Sequence, residues 1–88
     1  MRIEVDIDEM KLFATRLLEY ADAVRATRQR SESDTEKAND FWRDKKYQAF
    51  RREQEKLWFQ VQYIEKRCEM YSEYLREKAR RAEDYLYG

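Results

Sequence analysis

The chain carries no proline, and its one glycine is Gly88, the last residue. β-rich folds need several tight turns, and such turns draw on glycine and proline. Long helices want neither in their interiors. Charged residues make up 43% and apolar residues 42%, which suits long amphipathic helices. At 88 residues this is one small domain, and a lone pair of helices of that size has little surface to bury. The expectation is an all-α chain whose helices look for further partners.

Taken in order, the chain opens with an arm at 1–7. Ile3, Val5 and Ile7 alternate there with polar residues, the pattern of an extended segment. Asp6 with Glu9 resembles a capping box, whereas Asp8 as cap sets Ile7 and Leu12 as a hydrophobic staple. A first helix is predicted over 8–39. Its apolar seam steps by three and four through Met10, Phe13, Leu17, Tyr20, Val24, Thr27, Ser31, Asp34, Ala38 and Phe41, widened by Ala14, Leu18 and Ala21. Beyond Arg28 the seam turns polar, and Ser31, Ser33, Asp34, Thr35 and Asn39 are modest helix formers. That half should be helical only where something packs on it.

A corner is expected at 40–46, and a second helix at 47–86 with its cap at Asp44 or one turn earlier at Asp40. Its seam runs Tyr47, Phe50, Gln54, Leu57, Val61, Ile64, Cys68, Tyr71, Leu75, Lys78, Ala82 and Tyr85. Being the longer helix, it should project past the first at its far end. Phe59, Tyr63, Met70 and Tyr74 make a second apolar stripe, with Trp58 flanking the seam on the other side. One hairpin buries one face, so these five residues form a candidate partner interface, and two hairpins pairing into a four-helix bundle would cover both faces.

Several classes of function are disfavoured. There is no histidine to serve as a base or to partner Cys68, and no internal glycine for a phosphate loop. Catalysis and a cofactor site are therefore not expected. A zinc site would need Cys68 plus carboxylates alone, an improbable set. The single cysteine forms no internal disulfide and reads as a small seam residue. Nineteen basic residues balance nineteen acidic ones. The basic cluster Arg76, Lys78, Arg80 and Arg81 is interleaved with Glu77, Glu83 and Asp84, a poor match to nucleic acid. No apolar run reaches membrane-spanning length. The first residues do not form the apolar core of a cleavable leader, so synthesis in the cytosol is expected, with any export by a route needing no such peptide.

The corner is the most specific feature. Phe41, Trp42, Arg43 and Asp44, followed by Tyr47 and Phe50, sit between the two long helices. In this the chain resembles the WXG family, the ESAT-like small helical-hairpin proteins of type VII secretion. The resemblance covers essentially the whole layout: arm, helix, Trp corner, longer helix. It implies an antiparallel helix-turn-helix hairpin that pairs into homo- or heterodimeric four-helix bundles. It also implies a secretion substrate, or an adaptor or partner of a larger effector, with a protein as its partner. The chain departs from the family in two places. Asp44 stands where the family has glycine, and as an aspartate it can cap the second helix or take a left-handed conformation. The family's export signal, a tyrosine followed four residues later by an acid, has no match after the second helix, since Leu75 follows Tyr71 and Lys78 follows Tyr74 at that spacing. An intracellular coiled-coil scaffold or adaptor unrelated to secretion is the alternative reading.

Overall fold

The computed structural model describes residues 6–87. They form two helices, α1 (Ile7–Ala38) and α2 (Lys45–Tyr87), packed against each other as a hairpin. The first five residues of the expected arm lie outside the described residues. Of the two possible caps, Asp6 is used: its backbone is extended (φ −88°, ψ 99°) and its carboxylate accepts from the Glu9 amide at 3.0 Å. Ile7 is thereby drawn into the helix as its first residue. At about 1.5 Å per residue, the 43 residues of α2 span the 63 Å long axis of the molecule.

α1 ends without a glycine. Asn39 keeps right-handed torsions (φ −60°, ψ −19°), and the chain tightens into three-residue turns. The amides of Asn39, Asp40 and Phe41 donate to the carbonyls of Glu36, Lys37 and Ala38 at 3.0 to 3.2 Å, which satisfies the last carbonyls of the helix. No described residue has a positive φ. The corner is therefore built from right-handed and extended conformations alone, and glycine's freedom is not required.

The seam between the helices is shifted from the one expected. Its buried members are Ala14, Ala21 and Thr35 on α1, and Tyr47, Gln54, Glu65, Ser72 and Ala79 on α2. Met10, Leu17, Val24, Ser31 and Ala38 complete it on α1, and Val61, Cys68, Leu75 and Ala82 on α2, all half-buried. Every second expected position is thus in place. The alternate ones are each off by one residue. Phe13, Tyr20, Thr27 and Asp34 are exposed while Ala14, Ala21, Arg28 and Thr35 face inward. Likewise Phe50, Leu57, Ile64, Tyr71 and Lys78 are exposed in favour of Arg51, Trp58, Glu65, Ser72 and Ala79. Phe41 and Tyr85, the last expected seam residues of the two helices, are 81% and 90% exposed.

The physical reason is close approach. The Ser72 hydroxyl donates to the Ala14 backbone carbonyl at 2.7 Å, a contact between a side chain of one helix and the main chain of the other. Only small residues at Ala14, Ala21, Ser72 and Ala79 let the backbones come so near. A Phe or Tyr at these levels would hold the helices apart, so the bulky side chains turn to the flank.

Towards the corner the seam becomes polar, and its buried polar side chains Gln54, Thr35 and Tyr47 are paired. Gln54 donates to the hydroxyls of Ser31 (3.0 Å) and Thr35 (2.8 Å), and the Tyr47 hydroxyl donates to the Thr35 carbonyl at 2.8 Å. These contacts hold the poor helix formers of α1 in helical form as far as Ala38. At mid-length Glu65 is gripped by Arg28 through two bonds, at 2.9 and 3.3 Å, and approached by Arg25 at 3.2 Å. Ion pairing thus reaches into the seam. At the open end, Lys11 pairs with Glu83. Ser72 lies level with Ala14, and from that contact α2 runs 15 residues on to Tyr87 whereas α1 has seven back to Ile7, so the end of α2 projects past its partner as its length had suggested.

Candidate functional site

Two features stand out as places where a partner could be recognised: the corner, and the apolar surface the hairpin leaves uncovered.

At the corner, Asp44 does two jobs with one oxygen. Its Oδ1 accepts from the Tyr47 amide at 3.0 Å, which makes it the N-cap of α2, and from the Trp42 indole N–H at 2.8 Å. Trp42 is thereby held over the first turns of α2, edge-on to Tyr47 (centroids 5.3 Å, 65°) and tilted against Phe50 (5.8 Å). Of the sequence-predicted corner residues, Trp42, Asp44, Tyr47 and Phe50 come together. Phe41 does not; it points into solvent beside them. Aspartate at the third position of the motif therefore acts as a helix cap that also ties down the tryptophan. Asp44→Ala is expected to cost about 1–2 kcal/mol, a lost cap plus a lost indole bond, while Asp44→Asn keeps both acceptor contacts and stays within about 0.5 kcal/mol. Thermal unfolding followed by circular dichroism measures both.

The uncovered surface has two parts. The first is the stripe foreseen on the outside of α2: Phe59, Tyr63, Met70 and Tyr74 are all more than half exposed. Arg67 lies over the Tyr63 and Tyr71 rings, and Lys78 over Tyr74, so cations shield part of this stripe. Trp58 does not belong with them. It sits half-buried at the seam in a groove shared with Glu32 and Thr35 of α1, and its shielded indole N–H finds no acceptor among the described residues.

The second part was not anticipated as surface. Phe13 and Tyr20 of α1 and Phe50, Leu57, Ile64 and Tyr71 of α2 are 42 to 54% exposed. Each directly precedes a seam residue. On two antiparallel helices that face each other, such positions fall on the same side of the pair. A groove lined jointly by Thr27, Arg30, Asp34 and Phe50 shows the two flanks meeting there. Sequence reasoning had these residues as core. Ala14 and Ala21 were legible as a widening of the first seam; the missed signal was Ser72 and Ala79 at the adjacent heptad positions of α2.

The charged groups are engaged mainly with one another. Arg28, by hydrogen bonding and then by its charge, holds the Glu65 carboxyl below the usual carboxylate range, against the opposing effect of burial. Arg80 and then Arg81 do the same to Glu77 near the end of α2. Arg80 also pairs with Asp84 at 3.0 Å, so much of the basic cluster considered for nucleic acid is neutralised by its neighbours. Cys68 is a free thiol, half-buried at the seam. Among the described residues no group of three or more potential metal ligands gathers, and no helix is long and apolar enough to cross a membrane.

No protein family, curated protein or solved structure matches the chain. The fold and the surface chemistry carry the functional reading.

Proposed function

We propose that this hairpin is a non-enzymatic protein-interaction module of the WXG type, a small secretion substrate or an adaptor accompanying a larger effector, acting as a dimer or heterodimer. The observation that carries the reading is an inversion of residue size. Alanine, serine, threonine and paired polar groups close the hairpin, whereas most of its large apolar side chains stay outside. A soluble chain that ended its assembly as a bare hairpin would gain more by burying Phe13, Leu57 or Ile64 than Ala14 or Ser72. The Trp-cornered layout and the length of both helices fit the family resemblance, and Asp44 fills the glycine position without disturbing the corner.

The test is made in the native host with a tagged chain. Recovery of the intact chain in the medium, lost when the host's secretion ATPase is removed, is the expected result. A chain retained wholly in cells, in a complex indifferent to that ATPase, would instead favour an intracellular scaffold. Trp42→Ala separates recognition from packing at the corner. Because Trp42 is half-buried and bonded to Asp44, we expect lower thermal stability, by several degrees, with partner capture retained once the protein is folded. Unchanged melting with lost capture would assign the indole to the partner.

A further inference from the structure

The chain's net charge of zero conceals an uneven distribution around α2. At about 100° per residue, the line directly opposite the seam residues Gln54 and Ser72 runs through Lys45 and Tyr63. Between Lys45 and Tyr74, the outward third of the helix centred on that line carries five cations, Lys45, Arg52, Lys56, Lys66 and Arg67, and no acid. Glu53, Glu55 and Glu73 stand about 80° from the line, on the flanks. Among the described residues none of the five cations has an ion-pair partner, whereas Arg25, Arg28, Arg80 and Arg81 are all paired.

The outer stripe of rings shares this face. Phe59 is 76% exposed, Tyr63 61% and Tyr74 58%, with Met70 between the two tyrosines. Along the axis the two kinds of group alternate in blocks. Cations as far as Lys56 give way to Phe59 and Tyr63, then Lys66 and Arg67 precede Met70 and Tyr74. Arg52 and Lys56 fall within about 20° of the line through Tyr63, so they sit in the middle of the stripe and not along its border. Arg67 is already placed beside open rings. Its guanidinium lies 5.9 Å from the Tyr63 centroid and 5.0 Å from that of Tyr71, and it donates to the Tyr71 hydroxyl at 2.9 Å.

From this we infer that the outer face of α2 binds a single strand of nucleic acid, with phosphates on the cations and bases on the rings. The inference goes beyond the protein-interaction reading and gives this stripe a different kind of partner. A partner helix or a membrane surface calls for a continuous apolar strip with its cations at the borders, and Arg52 and Lys56 interrupt the centre of this one. A duplex offers phosphates but keeps its bases stacked on one another, which leaves the open rings without a use. A single strand presents charged and planar groups in turn along its length, as this face does. From Lys45 to Tyr74 the face runs roughly 44 Å at 1.5 Å per residue, room for several nucleotides. The basic cluster nearer the end of α2 is a separate case, because Glu77 and Asp84 neutralise it there.

Fluorescence anisotropy of the full chain with a labelled oligothymidylate of about 16 nucleotides tests this. At about 50 mM salt a micromolar Kd is expected. Raising the salt to about 200 mM should weaken binding about 100-fold, since five phosphate contacts give a slope of about −3.5 in log K against log salt. Arg52→Gln with Lys56→Gln should make that slope shallower by about 1.4. Phe59→Ala with Tyr63→Ala should weaken binding at least about 10-fold and leave the slope unchanged. All four side chains are exposed, so circular dichroism should show the helices retained in both variants. Arg80→Gln with Arg81→Gln, which removes cations already paired, should change binding by less than about twofold. No binding at about 100 μM chain would overturn the inference. So would a duplex of the same length bound as tightly as the strand, with the ring variants unimpaired. Poly-L-glutamate bound as tightly as the strand at equal salt would overturn it too, and would give the face to an acidic protein segment.

Discussion

Glu65→Ala is expected to lower the unfolding free energy by about 1–3 kcal/mol, the cost of leaving a largely covered cation without its partner. Glu65 is 3% exposed, and the Arg28 side chain that grips it with a two-point fork is 11% exposed. Arg25, at 34%, has other carboxylates within reach, Asp22 at 3.2 Å and Glu69 beside it. The uncompensated charge in the variant is therefore chiefly Arg28, which keeps only a long 3.4 Å contact to Glu32. Replacing both partners, Arg28→Met with Glu65→Leu, should restore most of the loss, because the desolvation of two charges disappears along with their attraction. Urea unfolding of the single and double variants at one fixed protein concentration measures the difference, the fixed concentration being needed if association contributes. If Glu65→Ala costs under 1 kcal/mol, the pair is not a structural tie.

The same pair gives the hairpin an acid limit. Because the folded-state pKa of Glu65 lies below its unfolded value, its stabilisation is fully present above the unfolded value of about 4.3 and fades as pH falls through the folded pKa. Stability should therefore drop on acidification below about pH 4, and more steeply in the wild type than in the double variant.

How much was legible beforehand follows from the same seam. Two helices, a corner at Trp42 and a cap at Asp44 could be read because breakers, periodicity and capping residues act locally. The phase of the seam could not be read. A step of three and four fixes every second heptad position, here Met10, Leu17 and Val24, and leaves two candidates for each one between. Size favoured Ile64 over Glu65 and Tyr71 over Ser72, and left Ala14 and Ala21 as no more than a widening of a seam led by Phe13 and Tyr20. That rule suits a helix with one buried face. It misleads when a helix touches a close neighbour through small side chains and keeps its large ones for a second contact. Glu65 was further hidden because a buried carboxylate is legible only from its cations, and Arg25 and Arg28 lie far from it in sequence.

Tyr47 is the residue on which the corner depends most, and Tyr47→Ala is expected to destabilise the hairpin by about 3–5 kcal/mol. It is the largest fully buried side chain, 1% exposed. Its place at the start of α2 was expected, but the work of its hydroxyl was not. At the end of α1 the Asn39 amide turns to the Glu36 carbonyl, at 3.2 Å, instead of reaching back four residues to Thr35. The Thr35 carbonyl is left without its helical donor, inside the seam, and the Tyr47 hydroxyl supplies one at 2.8 Å. The tyrosine thus completes the C-terminus of one helix from the first turn of the next, while its own amide takes the Asp44 cap. Tyr47→Phe isolates that bond. It keeps the ring and its edge-on contact with Trp42 but strands a buried carbonyl, so a loss of about 1–3 kcal/mol is expected. The order Ala worse than Phe, with Phe clearly below wild type in urea unfolding, checks both roles. A Phe variant as stable as the wild type would show that water reaches the Thr35 carbonyl, and would reduce Tyr47 to its ring.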